Sequence, residues 1–169
     1  MSGDTLSYVL KMSANQTLGA MAGFLQKGAD HAGASDVEES VLLGHRLAPD
    51  MFPLSRQIQI ATAIAMRGAS RLAGVEADEL EDTETNFAEL IARCHKANDY
   101  VQALDDAAIN ANERVTMEIP LGPMTVNWEG REYASLFILP NLHFHAATAY
   151  SLLRSQGVKL GKRDFLMPA

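Results

Sequence analysis

Apolar residues recur at helical spacing in four long segments of this chain, and that period leaves little choice of fold. At about 100° per residue, Leu6, Val9, Leu10, Thr17, Ala20, Met21 and Phe24 fall on one side of a segment predicted helical from Thr5 to Lys27, with Gly28 as its stop. Leu54, Gln57, Ile60, Ala61, Ile64 and Gly68 share a face in a second helix, which follows Pro53 and ends near Leu72 and Gly74. Phe87, Leu90, Ile91, Cys94, Val101 and Leu104 form a third stripe. Its cap is Thr85 or Asn86, and Glu89 completes a capping box if Asn86 is the cap. The fourth stripe is Ala134, Ile138, Asn141, His145, Ala149 and Leu152, in a helix from about Arg131 to Gly157.

Shorter signals fill the gaps. HAGAS reads as a loop, and Ser35 with Glu38 as a capping box for a short helix Asp36–Gly44. GVEADELEDTET reads as a solvated acidic loop, and residues 105–112 as a polar connection. In VTMEIPLGPMTVNW the period drops to two: Val115, Met117 and Ile119 alternate, as do Met124, Val126 and Trp128, with LGP between them. That is a β-hairpin of roughly six residues per arm, which must pack on the helices because a lone hairpin is marginal. Pro140 removes an amide donor inside the last helix and predicts a kink or break. The expected fold is all-α: a four-helix bundle with a short extra helix and a small β-hairpin before the last long helix, one domain over residues 1–169.

The formal charge of -7, with 14 Lys and Arg spread along the chain, argues against a nucleic-acid partner. One cysteine cannot form an internal bridge, which fits a reducing cytosol, so a cytoplasmic location is expected. MSGDTLSYVLKMS lacks the basic start and apolar run of a signal peptide. No window offers about 18 clean apolar residues, so no membrane span is expected.

The candidate chemistry sits in LPNLHFHAATAY. His143 and His145 are two apart, so on a helix their rings point about 200° from each other and cannot share an ion. His143 belongs to the solvent side, with Pro140, Ala147, Ser151 and Arg154. Asn141 and His145, four apart, stack on the inward face. Gln57 lies at the centre of its own inward stripe, and Asp50 projects to the same side two turns earlier. These four, Asp50, Gln57, Asn141 and His145, are the candidate small-molecule pocket. The plain alternative is a buried network of His145 with Asn141 and Gln57 that fixes helix register, with Asp50 as a helix cap. One His and one Asn make a poor zinc site. If a metal binds, His145 and Asp50 are the ligands to expect; if none does, His145 serves as general acid or base. Cys94 reads as a buried small hydrophobe, His31 as a helix C-terminal residue, and His45 and His95 as solvated. In the tail, Lys162, Arg163 and Asp164 form a surface cluster that could anchor the chain end or an anion.

LAPDMFPL (47–54), DTET (82–85), LPNLHFHAATAY (139–150) and GVKLGKRDFL (157–166) together resemble an uncharacterised bacterial family grouped with the DinB/YfiT-like bundles. The resemblance covers nearly the whole chain and implies a DinB-like four-helix bundle, often a homodimer. For the wider group it also implies a divalent metal (Zn, Ni or Mn) held by three histidines, and in some members thiol-dependent transferase chemistry. Matched residue by residue, one histidine falls on His145, but Asn141 and Gln57 stand where the other two belong. The functional readings are therefore a ligand-binding DinB-like protein, a metal-dependent thiol transferase-type enzyme, and a non-catalytic dimeric interaction bundle.

Overall fold

A computed structural model describes residues 5–167; residues 1–4, which include part of the stretch read against a signal peptide, and residues 168–169 lie outside it. The four long helices are α1 (Thr5–Ser35), α3 (Leu54–Ala73), α4 (Phe87–Ala103) and α7 (Leu139–Ser155). Around the bundle, α1 packs on α4 and α7, and α3 packs on the same two, which leaves α1 and α3 diagonal. Between them lies one apolar cluster running from Leu6 to Leu160, with Phe24, Met21, Leu54, Ile58, Phe87 and Leu90 wholly buried. The expected four-helix bundle with an appended hairpin is the fold observed. No helix among the described residues is long and apolar enough to cross a membrane.

The local signals at α3 and α4 hold. Gly74 takes the left-handed conformation (φ 70°) that ends α3, and its N–H returns to the Arg71 and Ser70 carbonyls. The Asn86 side chain accepts from the Glu89 N–H at 2.9 Å, while the Glu89 carboxylate accepts from the Thr85 N–H at 2.6 Å. That backbone bond is the main reason Glu89 is held below the ordinary carboxylate range. The hairpin pairs β1 (Thr116–Leu121) with β2 (Met124–Glu129), matching Met117 with Trp128 and Ile119 with Val126. Gly122 supplies the positive φ of 61° at its turn.

Four expectations are corrected. Gly28 does not stop α1, which runs through HAGAS to Ser35. Gly28 is there for closeness: a Cβ would lie 2.9 Å from the Phe87 ring and 3.0 Å from Leu153. Ser35 is accordingly no cap, and α2 is only Glu39–Leu43. Glu39 does its capping elsewhere, accepting from the Phe87 N–H of α4 at 2.7 Å. Within the 105–112 connection lies a helix, α5 (Asp106–Ala111), capped by the Asp105 carboxylate and pinned by buried Ile109. The acidic loop 75–86 is not simply solvated, because two of its carboxylates hold a buried arginine described below.

Before Pro140 the last helix neither breaks nor keeps α geometry. After α6 (Gly130–Tyr133) a π-helical stretch, Ala134–Ile138, leads into α7, with the Leu139 N–H bonded to the Ala134 carbonyl five residues back. Pro140 follows directly on that stretch, so the donor it lacks falls where the helix has already left i→i−4 bonding. The chain ends on α8 (Lys162–Leu166), which packs against α1. Lys27 reaches Asp164 at 2.7 Å, and Gln16 donates to the Phe165 carbonyl. The lysine bond, with the Gly161 N–H, holds the Asp164 carboxyl below its usual range.

Candidate functional site

At the seam of α3 and α7, Gln57 and His145 meet. Gln57 is 2 % exposed, and its side-chain oxygen lies 2.6 Å from His145 Nδ1. The other end of the same amide donates through Nε2 to the Phe52 carbonyl at 3.1 Å. A carbonyl can only accept, so that bond fixes which end of the Gln57 amide faces the imidazole. Oε1 in turn can only accept, so Nδ1 must carry the proton and Nε2 is left with the lone pair. Burial pushes the His145 pKa below its ordinary value, which keeps the ring neutral at pH 7. Sequence periodicity, a buried glutamine and a carbonyl of the LAPDMFPL turn thus combine to present one basic nitrogen of fixed tautomer. Phe144 stands edge-on to this ring, with centroids 5.3 Å apart.

The other candidates are placed differently. Asn141 spends its amide N–H on its own helix, donating to the Phe137 carbonyl at 2.8 Å. That carbonyl belongs to the π-helical stretch, so Asn141 supports the irregular turn. Asp50 is exposed in the loop between α2 and α3, and Pro53, not Asp50, is the N-cap of α3. His143 is exposed and lies 3.1 Å from the Ser13 hydroxyl of α1. His45 is half-buried beside Ser155, and His95 is exposed. Cys94 is fully buried, and desolvation pushes its thiol up to about 12.

These residues do not suit a resident metal. Among those described, no group of three or more His, Cys, Asp or Glu is arranged to hold an ion. Gln57 Oε1 is already taken by His145 Nδ1, and the Asn141 amide is tied to a backbone carbonyl. His145 Nε2 alone is too few donors for zinc.

Two features escaped the sequence reading. Arg93 on α4 has a side chain only 3 % exposed, yet it is charged. It donates to Asp82 at 2.8 Å, Glu84 at 2.7 Å, the Glu81 carbonyl at 2.8 Å and the Thr62 hydroxyl at 2.8 Å. The DTET stretch thus folds over a buried guanidinium and ties its loop to α3 and α4. The signal was present: Leu90, Arg93 and Ala97 follow helical spacing, so a charge stood on an apolar face and required partners.

The second feature is a cleft of about 510 Å³ over α3, roofed by the hairpin and the acidic loop. Ile60, Ile64, Ile119 and Phe137 give it apolar walls, while Arg67, Arg71 and Glu79 stand among its polar groups. None of Asp50, Gln57, Asn141 and His145 lines it.

Comparison with known proteins agrees with this architecture. Residues 9–166 match a family described as "Domain of unknown function (DUF1993)". The chain is also similar to a solved structure titled as a DinB family member protein from Shewanella denitrificans. The two are 34% identical with a TM-score of 0.79, over 96% of this chain and 97% of that one. No curated protein matches it.

Proposed function

We propose that this chain, which belongs to the DUF1993 family of uncharacterised DinB-like proteins, binds a small molecule at His145 without a resident metal. One observation carries the reading: the Gln57 amide, locked by the Phe52 carbonyl, holds His145 as the neutral Nδ1–H tautomer and leaves Nε2 as an acceptor. Such a nitrogen accepts a hydrogen bond from a ligand O–H or N–H, and it can take that proton if the ligand is acidic enough. Gln57 orients the ring and touches no ligand. In this reading Asp50, exposed in the loop before α3, takes no part, and Asn141 serves the helix backbone.

Two measurements test this. Protein purified without a metal-affinity tag should carry less than about 0.1 equivalent of Zn, Ni or Mn, before and after incubation with each, consistent with the donor count. Fragments found by ligand-observed NMR should lose binding in His145→Ala and keep it in His143→Ala. Stoichiometric metal, or equal effects of the two substitutions, would overturn the reading.

A homodimer is a companion proposal. Tyr8, Val9 and Met12 on α1, Leu136 in the π-helical stretch and Phe144 on α7 are exposed large hydrophobics, more than a bundle needs on its outer face. Light scattering should give twice the 18.3 kDa chain mass; a monomer at micromolar concentration would refute it.

A further inference from the structure

The 510 Å³ cleft over α3 has the size of a small-molecule site, and its lining is divided between apolar side chains, such as Ile60, Ile64, Ile119 and Phe137, and charged ones. Its charged groups are not equivalent. Arg56 pairs with Asp82, Arg93 with Asp82 and Glu84, and Arg67 with Glu79. Arg71 is the cleft arginine that has no carboxylate partner among the described residues; it donates to the Glu118 carbonyl of the hairpin. A guanidinium carries five N–H donors, so one carbonyl leaves most of them unspent.

Beside it, Tyr133 is 7 % exposed, stacks on Phe137 at 5.8 Å, and has no hydrogen-bond partner for its hydroxyl among the described residues. Burial pushes that phenol's pKa up, with the charge of Arg71 acting against the shift, and both side chains line the cleft. A guanidinium without a carboxylate partner and an unengaged phenol thus line the same cleft as Ile60, Ile64 and Ile119.

We propose that this cleft binds an amphipathic carboxylate, its head on Arg71 and Tyr133 and its apolar body along Ile60, Ile64 and Ile119. A carboxylate fits the fork of a guanidinium with two parallel bonds and takes a third from a phenol. Asp78, Glu79 and Asp82 also face the cleft and disfavour a doubly charged phosphate, whereas a single negative charge meets less repulsion. The Arg67–Glu79 pair in its lining, 64% and 80% exposed, is weak enough to part as a ligand enters. The site is separate from that at His145, and it stands or falls on its own.

The probes are octanoate, octan-1-ol and inorganic phosphate, titrated into the full-length protein by calorimetry and ligand-observed NMR. Octanoate should saturate one site, octanol should bind at least about tenfold more weakly, and phosphate alone should not compete. Arg71→Met should weaken octanoate about tenfold or more without changing octanol binding, while Arg71→Lys keeps part of the affinity. Ile64→Trp, which fills the trough, should abolish binding of both if the circular dichroism is unchanged. His145→Ala should leave octanoate affinity intact. Equal affinity for acid and alcohol, competition by phosphate, no saturation at millimolar octanoate, or a loss in His145→Ala matching that in Arg71→Met would each overturn the assignment.

Discussion

Arg93 offers the sharpest test of what holds this bundle closed. Its side chain is 3 % exposed, and Asp82 and Glu84 neutralise it at 2.8 and 2.7 Å. Replacing both acids by their amides (D82N with E84Q) keeps shape and removes the countercharge, so a guanidinium stays buried with neutral acceptors only. Breaking a buried pair from one side costs about 3–5 kcal/mol. At roughly 2–4 °C per kcal/mol for a chain of this size, the melting point should fall by about 6–20 °C. Glu84→Gln alone leaves Asp82 in place and should cost about 1.5–3 kcal/mol, the worth of a charge-assisted bond. Arg93→Met combined with Glu84→Gln removes the buried guanidinium together with the carboxylate that is only 11 % exposed, and leaves Asp82 its pair with Arg56, so it should cost less than the double amide variant. Urea unfolding of the four proteins, followed by circular dichroism, gives the comparison. If R93M/E84Q proves more damaging than D82N/E84Q, or D82N/E84Q stays within about 1 kcal/mol of wild type, then buried uncompensated charge is not what the acidic loop prevents.

Gly130→Ala should destabilise more than Gly68→Ala in the same assay: the first would drive a Cβ into the Asn112 backbone carbonyl, the second into the Ile138 side chain, which can turn away at roughly 1–3 kcal/mol. Burial lowers the His145 pKa, so the unfolded chain binds a proton that the folded one refuses. Stability should therefore be full above about pH 6.5 and fall as pH drops toward the lowered value, and His145→Gln should flatten that slope. His143 shares this direction of shift, so a slope unchanged in His145→Gln and lost in His143→Gln would move the effect to the other ring. Cys94, with its thiol pushed up to about 12, should resist a thiol reagent in native buffer and react fully in urea; labelling at the native rate of a small thiol would contradict its burial.

What could be read from the sequence is what local chemistry dictates. The α3 stripe, the Gly74 stop, the Asn86–Glu89 box and the hairpin around Gly122 each answer to neighbours a few residues away. Gly28 misled because its role is tertiary: α1 needs no side chain there so that Phe87 and Leu153 can approach. Helix α5 was hidden by its length, since six residues carry less than two turns of periodicity and only Ile109 reaches the core. The inward faces of Gln57 and His145 follow from counting. That their side chains meet, and that Phe52 orients the amide, depends on how α3 and α7 are placed against each other. Arg93 was legible in principle, as a charge on an apolar stripe. Its partners sit in a loop whose composition reads as solvent-exposed, and no period connects them to it.

The π-helical stretch at Ala134–Ile138 ties the length of this region to its geometry. A π turn is an α-helix carrying one residue too many, and here the surplus is absorbed just before Pro140. Deleting any one residue of 134–138 would let the segment relax to plain α-helix. Because the bulge already absorbs the surplus residue, the helix on either side would keep its register, and the hairpin that roofs the cleft would stay seated. The same deletion inside α3 or α4 has no surplus to draw on and would turn everything on one side by about 100° and draw it in by about 1.5 Å. A one-residue deletion within 134–138 should therefore be tolerated better than one in the middle of either of those helices.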